Sequence, residues 1–79
     1  MSLAIQPSGS VEAQVGGRVR IRRRLLGVRP DAVAASLGLS VADIHDIESG
    51  QRPLLPAEVW ALTELLEMSA DFLLGEATF

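Results

Sequence analysis

The side chains of this sequence best able to bind a ligand are its arginines, and they are clustered. Six of the seven lie between Arg18 and Arg29, the seventh is Arg52, and there is no lysine. Residues 1–30 hold one acidic residue, whereas residues 31–79 hold nine acidic residues and a single arginine. The net charge of −3 therefore conceals a basic N-terminal part, which would attract phosphates, acidic proteins or anionic membranes.

Other side chains give little support for catalysis or metal binding. His45, Asp46 and Ser49 have the residue types of an acid–base trio, but His45 and Asp46 are adjacent and would point about 100° apart on a helix. The chain has one histidine and no cysteine, which excludes a thiol nucleophile, a disulfide scaffold and a zinc finger. We therefore predict that this is not an enzyme and that it has no cofactor and no metal site.

The elements that must position these residues are helices. Apolar residues recur at helical spacing from Val11 onward, and no segment alternates as a strand does. We predict an all-α fold with helices from Val11 to a capping Gly27, over about 30–37 and 41–49, from Pro56, and over Ala70–Leu74. Residues 1–10 are predicted to be a flexible leader, 11–75 the domain and 76–79 a C-terminal tail.

The sequence indicates a cytoplasmic protein. No apolar run approaches the roughly 18–20 residues of a membrane span, and no signal-peptide pattern is present. The 79 residues suffice for one small domain, and such domains often need oligomerisation.

The helical spacing predicts a core and leaves some apolar residues unused. The predicted core residues are Val15, Val19, Leu26, Val33, Ala34, Leu37, Leu39, Ile44, Ile47, Val59, Leu62, Leu66 and Phe72. The apolar residues left over are Leu54, Leu55, Trp60 and Phe79, and we predict that they lie at or near a homodimer interface.

The segment from Pro30 to Ile47 has the spacing of a helix-turn-helix. Ala34 is small enough to sit where two short helices cross, and Gly38 permits the positive φ of a tight turn between them. Ile44 and Ile47 would anchor the second helix by one face and leave the other face free. Any αα-corner of a small helical protein would show the same pattern, so the pair of helices alone does not decide between the two interpretations.

The wider pattern resembles the phage repressor and Cro type of helix-turn-helix domain, the XRE family. The residues that carry the resemblance are Val15-Gly16, Val19-Arg20, Arg23, Leu26-Gly27, Ala34, Leu37-Gly38-Leu39-Ser40, Ile44, Ile47-Glu48-Ser49-Gly50, Arg52-Pro53 and Phe72-Leu73-Leu74. The resemblance implies a lambda-repressor-like domain of five short helices, often dimeric, that regulates transcription by binding operator DNA.

The resemblance also implies roles for individual residues. Arg23 and Glu48 match a buried ion pair that joins the first and third helices, and Arg52 matches a loop residue that contacts the phosphate backbone. The remaining first-helix arginines would add phosphate attraction; the candidates are Arg18, Arg22 and Arg24, with Arg20 beside them. Four arginines at these spacings cannot all point one way, so some of them must lie on a solvated face.

The third helix departs from the family pattern. Its base-reading positions correspond to Ser40, Val41, Ala42, Asp43 and Asp46, and Pro30 stands where the family usually has glutamine. Val41 and Ala42 would contact a thymine methyl, and an aspartate would accept a hydrogen bond from cytosine N4. Asp43 and Asp46 are expected on the exposed face, where they would repel phosphates. We therefore expect weak binding to double-stranded DNA, and the alternative is a degenerate helix-turn-helix that serves as a protein–protein interaction module.

Overall fold

A computed structural model describes residues 10–74 and contains five helices over that range. They are α1 (Val11–Leu26), α2 (Pro30–Leu37), α3 (Val41–Ser49), α4 (Pro56–Leu65) and α5 (Ala70–Leu74). This confirms the predicted all-α fold. Of the predicted leader, Ser10 caps α1 and residues 1–9 lie outside the described residues, as does the predicted tail, 76–79. No helix within the described range is long and apolar enough to cross a membrane.

The helix ends follow from local sequence signals. Serine side chains accept hydrogen bonds from first-turn N–H groups at three helix starts, Ser10, Ser40 and Ser69. Pro30 and Pro56 open the other two helices, where a missing N–H costs nothing. Gly38 ends α2 at φ 70°, a left-handed conformation that glycine adopts without a Cβ penalty. Only Gly38, Leu39 and Ser40 lie between α2 and α3.

The helices pack around one core, with α1 against α3 and α5, α2 against α3 and α4, and α4 against α5. The buried apolar residues are Val15, Val19, Val33, Ala34, Ile44, Ile47, Leu62, Leu66 and Leu73. At Gly16 the backbone of α1 approaches α3 so closely that an added Cβ would lie 2.0 Å from the carbonyl oxygen of Ile47. A side chain at this position would push α1 away from α3.

Two residues predicted to be buried, Leu26 and Phe72, are exposed instead. Leu26 is the last residue of α1 and lies beyond most of the core. Helix α5 has five residues, and neighbouring side chains on a helix point about 100° apart. It therefore buries Leu73 and turns Phe72 outward, and spacing in so short a helix could not distinguish the two. Three further residues that were predicted to be buried are only half-buried, although they pack against the core: Leu37, Leu39 and Val59.

Candidate nucleic-acid interface

Helix α3 is anchored by one face and presents the other to solvent. Ile44 and Ile47 are fully buried. The exposed residues at the start of α3 and along its outer face are Ser40, Val41, Ala42, His45, Asp46 and Ser49. Four of the five predicted base-reading residues are thus exposed, and the fifth, Asp43, is half-buried.

Asp43 and Ser40 form a capping box at the start of α3. The Asp43 N–H donates to Ser40 Oγ at 3.1 Å, and the Ser40 N–H donates to Asp43 Oδ2 at 3.0 Å. These hydrogen bonds lower the pKa of Asp43 below its ordinary value, because they favour the ionised carboxylate. Asp43, which we expected on the exposed face with Asp46, is half-buried, and its carboxylate is engaged in this cap. Among the candidate base readers, the side chains of Val41, Ala42 and Asp46 stand outside this cap.

Arg23 and Glu48 lie in contact across α1 and α3. Arg23 Nε donates to Glu48 Oε2 at 2.7 Å, and Nη2 donates to Oε1 at 3.1 Å. Both side chains are buried, and Arg23 Nη1 also donates to the carbonyl oxygen of Val28 at 3.0 Å. Glu48 raises the pKa of the Arg23 guanidinium through the hydrogen bonds. This pair joins α1 to α3, and both residues border the polar space between these helices.

Arg52 has an acidic partner that the sequence analysis missed. Its Nη1 and Nη2 each donate to the Glu58 carboxylate at 2.9 Å. Glu58 Oε1 also accepts the Leu55 N–H at 2.9 Å, which fixes the start of α4. Chiefly through the bonds from Arg52, the pKa of Glu58 is lowered. The only sequence signal for this role is a glutamate in the first turn of a helix. A phosphate at Arg52 would have to share a guanidinium that Glu58 already binds.

The remaining arginines divide between the two flanks of α1. Arg22 Nε and Nη2 donate to the carbonyl oxygens of Leu66 and Glu67 at 2.8 and 3.1 Å, so Arg22 holds the turn after α4. Arg18 lies on the same flank, beside α5. Arg24 lies on the opposite flank, next to α3, together with Arg20.

These placements change the list of phosphate candidates. Arg22 is used in a structural contact, and Arg18 is turned away from α3, so neither suits a ligand held by α3. Arg29 forms an exposed ion pair with Asp31. Within residues 10–74, the arginines that have neither a hydrogen bond nor an ion pair are Arg18, Arg20 and Arg24.

A polar groove of about 320 Å³ separates α1 from the C-terminal half of α3. Arg20 and Arg24 line one side, and His45, Asp46 and Ser49 line the other. The groove sets two free guanidinium groups beside the exposed end of α3. They give this flank of α1 the positive charge that α3 itself lacks.

The hydroxyl of Ser49 does not bond to the side chain of His45 or Asp46, the other two residues of the acid–base trio considered from the sequence. Ser49 Oγ donates to the backbone carbonyl oxygen of Asp46 at 3.2 Å, which leaves its hydroxyl proton engaged with the helix. In the described part of the chain, no group of three histidine, cysteine or acidic side chains is placed to hold a metal ion.

Three of the four predicted interface residues can be located. Trp60 is 67% exposed, Leu55 is exposed and Leu54 is half-buried. Leu54 and Trp60 line a shallow apolar groove between α4 and α5, with Val59 and Leu74. The fourth residue, Phe79, lies outside the described residues.

Comparison with known proteins agrees with this geometry. A family model described as a helix-turn-helix domain matches residues 14–73, which include the whole of α2, α3 and α4. The chain belongs to this family. The resemblance to helix-turn-helix domains of the repressor and Cro type is thereby confirmed.

Several curated proteins are similar to this helix-turn-helix domain. YazB of Bacillus subtilis is 36% identical over 62 residues, covering 77% of this chain and 90% of YazB. R00410 of Rhizobium meliloti and a protein of Sinorhizobium medicae are each 25% identical over 67 residues, covering 85% of this chain. All three are described as uncharacterized HTH-type transcriptional regulators. The chain spans 48% of the length of the two rhizobial relatives.

One solved structure shares the fold. The restriction-modification controller protein C.AhdI from Aeromonas hydrophila aligns with a TM-score of 0.70 and 24% identity, covering 77% of this chain and 92% of that protein. At this identity the likeness concerns the arrangement of the helices and not the residues that they present.

Proposed function

We propose that this helix-turn-helix domain is a DNA-binding transcriptional regulator that places α3 in the major groove. The observation that carries the proposal is the way in which Ile44 and Ile47 bury one face of α3 while Val41, Ala42 and Asp46 stay outside. The major groove of B-DNA is about 12 Å wide and admits an α-helix. The relatives' description as transcriptional regulators supports the same function.

In this proposal, the flank of α1 that borders α3 contacts the phosphate backbone. Arg20 and Arg24 have exposed side chains beside the exposed end of α3. In this arrangement they reach the backbone next to the groove that α3 enters, where an arginine contributes affinity without sequence preference.

The acidic character of α3 limits affinity. Asp46 is exposed and would stand among phosphates, so binding is weak at physiological salt. The same carboxylate can accept a hydrogen bond from cytosine N4, which favours a cytosine opposite Asp46. Val41 and Ala42 add apolar contacts that suit a thymine methyl.

A homodimer accompanies this proposal. Leu55, in the loop before α4, and Trp60, on α4, are exposed apolar residues. They lie beside the groove lined by Leu54 and Leu74. Pairing this surface with its copy would bury it and place two α3 helices on one duplex. Dimeric helix-turn-helix proteins read half-sites about 10–10.5 base pairs apart.

Selection from a fragmented genomic library at several salt concentrations tests the proposed function. We expect an enriched, two-fold-related sequence and an affinity that falls steeply as salt rises. No enrichment and no retention of any duplex at low salt would contradict the proposal and favour the interaction-module alternative.

Two variants that each remove one positive charge show whether the position of an arginine on α1 matters for DNA binding. Arg24→Ala removes a guanidinium beside α3, and Arg18→Ala removes one from the opposite flank of α1. If Arg24 contacts one phosphate, its loss reduces the slope of log affinity against log salt by about 0.9. The matched Arg18 variant should leave that slope close to wild type. Equal effects would mean that α1 acts only through its overall charge.

A further inference from the structure

The flank of α1 away from α3 carries two exposed apolar side chains. Ile21 is 60% exposed and Leu25 is 73% exposed. They are four residues apart, so they stand one above the other, about 6 Å apart along the helix axis. Burying both would remove a continuous apolar ridge from water, yet within residues 10–74 no element covers it.

This ridge forms one wall of a groove of about 320 Å³. Met68, Ser69 and Phe72, from the turn after α4 and from α5, form the other wall. Arg22 spans the groove and holds the two walls together, because it donates to the carbonyl oxygens of Leu66 and Glu67. The groove is therefore a fixed feature of the packing between α1 and the C-terminal helices.

The groove combines an apolar lining with positive charge. Arg22 donates to neutral carbonyl oxygens and forms no ion pair within residues 10–74. Arg18 also lines the groove and has neither an ion pair nor a hydrogen bond among the described residues. Among the described residues that line the groove, Glu67 is the one acidic residue. An occupant with apolar side chains and carboxylates would match both properties of this surface.

We propose that this groove, lined by Ile21, Leu25, Met68 and Phe72 and bordered by Arg18, binds an acidic amphipathic helix of a partner protein. Such a helix presents apolar residues three and four positions apart, which suits two apolar side chains separated by one turn of α1. Its flanking carboxylates would face Arg18 and Arg22.

A second copy of the chain fits this groove less well. A two-fold interface brings the same surface of both copies together. Among the described lining residues, Arg18 and Arg22 of each copy would bring four arginines together with only two carboxylates, Glu67 of each copy. The groove also lies on the flank of α1 opposite the one that borders α3, so its occupant would not compete with a duplex on α3.

The test uses a labelled helical peptide of about 14 residues, roughly four turns, with leucines along one face and glutamates beside them. Its binding to the full chain is measured by fluorescence anisotropy. Methyl NMR spectra of the protein locate the contact. We expect perturbed methyl signals from Ile21, Leu25 and Met68, while those of Val41 stay unchanged. A matched peptide with glutamine in place of glutamate should bind severalfold more weakly.

Two variants decide whether the groove is the binding site. Leu25→Gln, at an exposed position that should not disturb folding, should weaken the acidic peptide about tenfold or more. Arg18→Gln should weaken the acidic peptide but not the glutamine peptide. The matched control is Val11→Gln, which removes an exposed apolar side chain from the same helix outside this groove.

Several results would overturn the proposal. They are the absence of binding, equal affinity for the acidic and glutamine peptides, or equal effects of the Leu25 and Val11 variants. Dissociation of a dimer by Leu25→Gln would assign the groove to a second copy. Nuclear Overhauser contacts between Ile21 and Phe79 of the same chain would assign it to the chain's own C-terminal residues. None of these measurements includes DNA, so their outcome is separate from that of the DNA-binding test.

Discussion

Arg23 donates hydrogen bonds to the Glu48 carboxylate and to the carbonyl oxygen of Val28. One side chain therefore ties α1 both to α3 and to the loop that precedes α2. Since both partners of the ion pair are buried, the contribution of each depends on the presence of the other. Removing one partner leaves an uncompensated buried charge, whereas removing both does not.

A double-mutant cycle at this pair should be strongly non-additive. Glu48→Leu and Arg23→Met should each lower the free energy of unfolding by about 3–5 kcal/mol, the scale for a broken buried ion pair. The double variant should cost less than the two single changes together. Urea denaturation of the four proteins gives the coupling energy, and an additive cycle would show that the two charges do not interact.

The two aspartates of α3 should respond differently to neutralisation. Asp46→Asn removes an exposed carboxylate from the proposed DNA surface, so affinity for generic duplex should rise by roughly 1 kcal/mol with little change in melting temperature. Asp43→Asn removes a charge from the capped N-terminal end of α3, where a carboxylate interacts favourably with the helix dipole, and should lower the melting temperature. Equal melting temperatures for the two variants would contradict the capping role of Asp43. An Asp46 variant with unchanged affinity for every duplex would contradict contact between α3 and DNA.

Glu58 should make the protein sensitive to acid. Arg52 lowers the pKa of Glu58 in the folded state, so the stabilisation is fully present above the unfolded value of about 4.3. It is lost as pH falls below that value and through the lower folded pKa. Chemical denaturation at a series of pH values should show this loss, and Glu58→Gln should make it shallower. Parallel curves for the variant and wild type would exclude a contribution from Glu58.

The role of an individual arginine could be predicted only where the family resemblance supplied it. The resemblance placed Arg23 opposite Glu48, and the structure places them in contact. Arg22 and Arg52 have partners set by packing between elements, at residues 44 or more positions away or across a loop. A cluster of like residues in the sequence therefore says little about which of them is free to bind a ligand.

At the scale of elements, the helices were well predicted because their ends are encoded locally. The serine caps at Ser40 and Ser69 and the glycine at Gly38 act within one or two turns, so a single sequence reveals them. Ser10, which caps α1, was assigned to the leader instead. Burial was predicted less well in the last turn of α1 and in the short helix α5. Leu26 and Phe72 are exposed because their contacts depend on how α1 and α5 meet, which no local spacing determines.

The two adjacent glycines of α1 should behave in opposite ways. An alanine Cβ at Gly16 would lie 2.0 Å from the Ile47 carbonyl oxygen, whereas a Cβ at Gly17 meets nothing within 4 Å. Gly16→Ala should therefore lower the free energy of unfolding by about 1–3 kcal/mol, since α1 must move away from α3. Gly17→Ala should raise it by up to about 1 kcal/mol through helix propensity. Thermal denaturation distinguishes them, and equal shifts would mean that α1 and α3 are not in close contact at Gly16.

At the scale of the whole molecule, α1 separates two surfaces of different chemistry. One flank sets Arg20 and Arg24 beside α3, and the other sets Ile21 and Leu25 beside α5. These residues alternate in sequence but lie on different sides of the helix, since each step turns by about 100°. If the proposed function and the proposed docking groove are both correct, a duplex and a protein partner would bind on opposite flanks of α1.

The proposed dimer should depend on the α4 surface and not on the outer flank of α1. Trp60→Ser and Leu55→Ser should shift the assembly toward monomer, because each removes exposed apolar area from the proposed interface. Leu25→Ser is the matched control, since it removes a similarly exposed apolar side chain elsewhere. Sedimentation equilibrium measures the shift. A wild-type protein that stays monomeric at high micromolar concentration would remove the dimer proposal.

The hydrogen bonds from Arg22 to Leu66 and Glu67 bridge 44 and 45 residues of the chain. A ribosome adds about 5–20 residues per second, so at that rate roughly two to nine seconds separate the synthesis of Arg22 from that of its acceptors. During that interval the nascent α1 has neither the turn after α4 nor α5 to pack against. Its apolar face and its arginines emerge together into a solution that contains nucleic acid and chaperones. The domain can therefore complete its fold only after the turn that follows α4 has been synthesised and can reach α1.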